Sequence, residues 1–191
     1  MLIKIMKELK FIHITKCAGT TIEDLGYENK VYWGRFNKEY GWWHGIFLNK
    51  SKEIKNKYDW FMVVRNPYDR ILSEYYCKWG GIGKYNCNNS KEKFNKFLIN
   101  KIKFRSKIGD HYTEQYKYLD KNYNINILKF ENLEYEFNKL MEKYNLQIKF
   151  NKHTNKGENK KFKVSDFSEE LIKLINEVYE EDFKIFGYDM L

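Results

Sequence analysis

Lys10 to Leu25, KFIHITKCAGTTIEDL, limits the possible folds of this chain more than any other stretch. Phe11 to Ile14 is a short apolar, β-branched run and predicts a buried strand. Thr15 to Gly19 is too small-residued to continue it. Thr20 and Thr21 then open a segment with Ile22 and Leu25 at helical spacing, and Glu23 and Asp24 fall where acidic side chains suit a helix N-terminus. Strand, tight loop and helix start make an anion site: backbone N–H groups converge, Gly19 admits a close approach, and Lys16 adds a mobile charge. The order differs from the Walker pattern, because the lysine precedes the glycine and two threonines follow it.

The rest of the chain alternates in the same way. Tyr58 to Val64, YDWFMVV, is the most strand-like run, and RNPYDRILSEYY follows it. Pro67, the single proline, sits where a helix accepts one, at its first turn. That helix is expected to run to about Trp79, where Gly80, Gly81 and Gly83 end it. Asn29 to Trp33 reads as a short strand, Gly34 to Asn49 as an aromatic-rich loop, and Lys50 to Lys57 as a polar surface segment. Ser90 to Phe104 reads as a capped amphipathic helix with Phe94, Phe97, Leu98 and Lys101 on one face. Asp110 to Leu119 is a short helix or ordered loop, Asn124 to Phe130 a strand, and Glu131 to Tyr144 a helix with Leu133, Phe137, Leu140 and Met141 inward. Asn151 to Lys163 is a loop. Asp166 and Glu169 suggest a capping box for a last helix carrying Leu171, Ile175, Val178 and Tyr179. This alternation predicts a single α/β domain over 1–191, P-loop-like, with a mainly parallel sheet.

Composition narrows the setting. A chain of 191 residues with 18% aromatics buries a real core. No run of about 18 apolar residues predicts a membrane span. Lysines thread MLIKIMKELKFIHI, which lacks a small-residue cleavage site, and the three cysteines (Cys17, Cys77, Cys87) lack metal-ligand spacing; reduced thiols and a cytoplasmic location are expected. The net charge of +9 is mostly lysine. It reads as a solvated surface, suits an anionic acceptor, and does not predict specific nucleic-acid binding. Two of only four arginines, Arg65 and Arg70, fall in one short stretch, and arginine presents a planar fork matched to phosphate.

Lys16-x-x-Gly19-Thr20-Thr21 after one strand and Arg65-x-Pro67-x-x-Arg70-x-x-Ser73-x-Tyr75 after another together resemble the sulfotransferases. The likeness is to the carbohydrate group that includes heparan sulfate 2-O- and chondroitin 4-O-sulfotransferases. His111-x-x-x-Gln115, FENL at Phe130 to Leu133 and DFKIFGY at Asp182 to Tyr188 are supportive. The resemblance implies 3′-phosphoadenosine 5′-phosphosulfate (PAPS) as donor, sulfuryl transfer to an acceptor hydroxyl, a carbohydrate as the expected acceptor, and no metal. Lys16 and the N–H groups of Cys17, Ala18, Gly19, Thr20 and Thr21 would hold the 5′-phosphate, and Lys16 would also meet charge on the leaving oxygen. Arg65 and Ser73 would bind the 3′-phosphate, joined by Lys156. Arg70 has two readings, ligand or structural ion pair.

His44, in WWHGIF, is the candidate general base, with Glu39 as fallback; the other reading of His44 is a loop residue packed on Trp42 and Trp43. His111 and Gln115 are candidates for the acceptor cleft. His13 is expected to be a sheet or core residue, and Cys17 to fill space within the loop. Two other functions compete: a P-loop-like nucleotide kinase using ATP with magnesium, and a basic nucleic-acid-binding module.

Overall fold

The computed structural model describes residues 7–34, 44, 47–82, 89–105, 111–150 and 160–191. The chain divides into two compact units, Met1–Val64 with Lys117–Thr154 and Arg65–Tyr116 with Asn155–Leu191.

In the first unit, strands β1 (Leu9–Ile12), β2 (Asp59–Val64) and β3 (Ile125–Lys129) form a parallel sheet in that order. Ile12 stands opposite Met62, and Val64 opposite Lys129. Every residue of β1 is buried, as are five of the six in β2, the apolar run that a covered parallel strand requires. β1 begins and ends two residues earlier than its apolar pattern suggests, because its pairing starts at Leu9 opposite Asp59. Helix α1 (Gly19–Glu28) follows β1, and α2 (Lys52–Lys57), capped by the Ser51 hydroxyl, precedes β2. Helix α5 (Leu133–Lys143) follows β3 and buries the expected Leu133, Phe137, Leu140 and Met141. Trp33, Phe61 and Phe137 meet edge to face, with centroids 5.3–6.2 Å apart.

Asn29 to Trp33 is not a strand. α1 ends at Glu28, and the Val31 N–H turns back to the Gly26 carbonyl at 2.8 Å, so its backbone closes a helix instead of joining a ladder. Trp33 still reaches the sheet through its side chain, donating from Nε1 to the Leu9 carbonyl at 3.0 Å.

The second unit contains α3 (Pro67–Tyr75), α4 (Lys91–Lys103), α6 (Glu169–Val178) and α7 (Glu180–Phe186). Pro67 opens α3 as expected, after an Asn66 cap whose Oδ1 accepts from the Tyr68 N–H. The helix stops at Tyr75, four residues short of Trp79, and the chain turns through Gly80 and Gly81. Gly81 must lack a side chain: a Cβ there would lie 2.1–2.2 Å from the carbonyl oxygens of Glu74 and Tyr75. α4 is capped by Ser90 and buries Phe94, Leu98, Ile99 and Ile102, while Lys101 is exposed. The core joins these to Tyr75, Phe162, Phe167, Leu171, Ile175, Tyr179 and Phe183. The cap of α6 is Ser168, whose Oγ accepts from the Leu171 N–H; Asp166 instead accepts from the Lys163 N–H in a preceding 3-10 turn.

Candidate functional site

The carboxyl end of β1 leads directly into the loop that carries the first motif, the position where parallel sheets place their ligand-binding crevices. Lys16 and Ala18 both take left-handed backbone conformations, with φ of 59° and 60°, so the chain reverses tightly between Ile12 and Gly19. A hydrogen bond from Ile22 N to the Ala18 carbonyl, 3.0 Å, closes the first turn of α1, and Ala18 supplies no side-chain cap. The helix therefore starts at Gly19 and directs its first-turn N–H groups into the loop. Lys16 is half-buried, Thr20 is exposed, Thr21 is buried, and Cys17 is fully buried in its expected space-filling place.

Behind the loop stands a pair that the linear pattern does not disclose. His13 lies just beyond β1 and is buried, with Nδ1 2.7 Å from Oε1 of Glu23, itself fully buried. Glu23 is thus no exposed first-turn residue; it lies more than a turn into α1 and faces inward. Two glycines make the room. A Cβ on Gly19 would sit 2.0 Å from His13 Nε2, and a Cβ on Gly34 would sit 2.0 Å from Glu23 Oε1. The motif glycine is therefore required by packing inside the protein. A histidine ending a strand and a glutamate ten residues on, inside the next helix, are the signal that could have found the pair.

His44 joins this group. Its ring meets the His13 ring edge to face at 4.6 Å, and its backbone carbonyl is 3.5 Å from the Tyr118 hydroxyl. The candidate base, the loop histidine and the motif glycine are contiguous: His44 touches His13, and His13 fills the space over Gly19. Glu39, Trp42, Trp43, Lys156 and Cys87 lie outside the described residues.

The second unit explains how the second motif is held. Arg65 is the residue after β2, and its backbone is bracketed by Gln115: the Arg65 N–H donates to Oε1 and Gln115 Nε2 donates to the Arg65 carbonyl, both at 2.9 Å. Gln115 is fully buried and is fixed in turn by Asp182, which accepts from Gln115 N at 2.9 Å, Tyr116 N at 2.8 Å and Gln115 Nε2 at 3.3 Å. Its amide thus serves Arg65. Burial pushes the Asp182 carboxyl up, while Arg70 and the N–H donors act the other way. Arg65 and Ser73 are half-buried. Arg70 is fully buried: it donates to the carbonyls of Thr113 at 2.5 Å and His111 at 3.3 Å and lies over the Tyr179 ring. These contacts tie α3 to the segment 111–113 and give Arg70 a structural role. His111 is half-buried, 2.8 Å from Glu74 Oε2, and Cys77 followed by Glu74 push its imidazole up to about 10.

The model of the sulfotransferase family matches residues 2–189. The chain belongs to the sulfotransferase family. Comparison with curated proteins and with solved structures found no match. Membership sets the reaction class as sulfuryl transfer, from a nucleotide donor to a hydroxyl, and agrees with the P-loop-like α/β architecture of the parallel sheet. It favours that class over the kinase and nucleic-acid-binding readings. No helix among the described residues is long and apolar enough to cross a membrane.

Proposed function

We propose that this sulfotransferase uses PAPS as donor and transfers its sulfuryl group to a carbohydrate hydroxyl, with residues 1–191 acting as one catalytic domain. The observation that supports this reading is the contact chain from His44 through His13 to Gly19, which links an imidazole to the glycine that opens the helix after β1. The loop fits a 5′-phosphosulfate in kind: it offers backbone N–H donors at a helix start and one lysine, Lys16.

In this assignment Lys16 stabilises negative charge on the oxygen that leaves sulfur. His44 accepts the acceptor hydroxyl's proton as that oxygen bonds to sulfur and the bridging S–O bond breaks. Arg65 and Ser73 hold the 3′-phosphate, the group that separates this donor from ATP. Gln115 and Asp182 act behind Arg65, fixing its backbone without touching the nucleotide. The basic surface, +9 overall, favours an anionic glycan.

Incubation with radiolabelled PAPS and a panel of glycosaminoglycans, neutral glycosides, phenols and peptides tests the assignment. Label is expected on a carbohydrate. Label only on phenols or peptides would overturn the acceptor class, and no transfer from PAPS to any acceptor would overturn the donor.

A further inference from the structure

We propose that Glu74, Cys77 and His111 form a zinc site in the second unit, built from residues other than those assigned to the nucleotide and the general base. Each residue offers one ligand atom, a carboxylate oxygen, a thiol sulfur and an imidazole nitrogen, and all three atoms lie within 4.8 Å of one another. His111 Nδ1 faces both others, at 2.8 Å from Glu74 Oε2 and 4.0 Å from Cys77 Sγ. Tetrahedral zinc, with bonds of about 2.0–2.3 Å, needs ligand atoms roughly 3.3–3.8 Å apart. The two separations from Nδ1 lie on either side of that range.

The scaffold holds the three donors in place. Glu74 stands at the end of α3, and the Cys77 N–H turns back to its carbonyl at 2.9 Å. The same turn is tied by Gly81 N to the Cys77 carbonyl, 2.9 Å, and Ile82 N to the Tyr75 carbonyl, 2.8 Å. Gly80 leaves room for the imidazole: a Cβ there would lie 2.6 Å from His111 Cγ. Arg70 grips the backbone of His111 and Thr113, and the Tyr112 hydroxyl donates to the Gly80 carbonyl at 3.2 Å. Three ligands on two restrained segments form a preorganised set, as a metal centre requires.

A second observation points to a cation. Glu74 is fully buried, and its other oxygen, Oε1, has no hydrogen-bond partner among the described residues. A buried carboxylate with an unsatisfied oxygen is costly. A divalent ion coordinated by Glu74 compensates that charge and gives Oε1 the partner it lacks. The ligand chemistry selects the metal: thiolate, imidazole and carboxylate together suit zinc, whereas magnesium and calcium take oxygen sets. Three protein ligands leave a fourth position for water, and His111, 17% exposed in its side chain, gives the ion a way in. The ion ties the end of α3 to the segment that runs from His111 to Gln115, and so reinforces the support of Arg65.

The test uses the full chain, stripped with chelator and desalted, then titrated with zinc against a chromophoric chelator, and with cobalt(II) under absorption spectroscopy. We expect one tight equivalent, a thiolate-to-cobalt charge-transfer band, and zinc-edge X-ray absorption showing one sulfur among nitrogen and oxygen neighbours. Cys77→Ser is expected to abolish the band, and His111→Asn to weaken zinc by about 100-fold or more. Absence of uptake, a coordination shell without sulfur, or unchanged affinity in a folded Cys77→Ser variant would each overturn the site. The X-ray absorption result is read on the wild-type chain and does not depend on either variant folding.

Discussion

His13 and Glu23, ten residues apart in sequence, meet behind the anion loop with 2.7 Å between Nδ1 and Oε1, and both are buried. The contact pins the end of β1 to the second turn of α1. The loop between them carries Lys16, so the pair fixes both ends of the segment assigned to the 5′-phosphosulfate. Glu23→Gln removes the charged acceptor at nearly constant volume. It is expected to cost about 1.5–3 kcal/mol of stability, read from urea unfolding; an unchanged midpoint and slope would show that the pair holds nothing.

Gly19→Ala tests the same packing with a change of sign. Alanine is the better helix former by about 0.5–1 kcal/mol, and Gly19 is not at positive φ, so propensity alone predicts stabilisation. The His13 ring, 2.0 Å from the new Cβ, predicts the opposite, a loss of about 1–3 kcal/mol. In a His13→Ala background the penalty should vanish or reverse. Equal effects in both backgrounds would break the link between the two residues.

Much of this was legible because it is local. The apolar run of β2, the Pro67 helix start, the Ser90 cap and the inward stripe of α5 each depend on residues within a few positions. What was not legible depends on distant partners. Arg70 carries a charge that suggests an ion pair or a ligand, and its guanidinium also holds carbonyls 41 and 43 residues away, which no local pattern announces. Gln115 looks like a polar cleft residue until Asp182 and the Arg65 backbone are found on either side of it. Asp166 reads as the cap of the last helix, but its carboxylate closes the 3-10 turn at Val164–Asp166 and Ser168 caps α6 instead.

Asp182→Asn replaces an acceptor of two backbone N–H groups with a side chain that can satisfy only part of them. A stability loss of about 1.5–3 kcal/mol is expected. Binding of 3′,5′-adenosine bisphosphate should also weaken, through Arg65, although Asp182 is fully buried. Denaturant unfolding and calorimetry on the same variant check the two effects; full affinity in a destabilised variant would separate Asp182 from the nucleotide.

His44→Ala removes the assigned base. Turnover should fall by about 10²–10⁴-fold with bisphosphate affinity nearly intact. Steady-state kinetics beside a binding titration measures both. Turnover unchanged would transfer the role elsewhere, and affinity lost with it would make His44 a structural support of the loop through its contact with His13.

The most direct test of the donor assignment is a calorimetric titration of the wild-type chain with 3′,5′-adenosine bisphosphate, beside AMP and magnesium-ATP. The account predicts that the bisphosphate binds at least about 10-fold more tightly than AMP, the size of one charged hydrogen bond to the 3′-phosphate, and that magnesium-ATP does not compete. Equal affinity for AMP and the bisphosphate, or preference for magnesium-ATP, would contradict it.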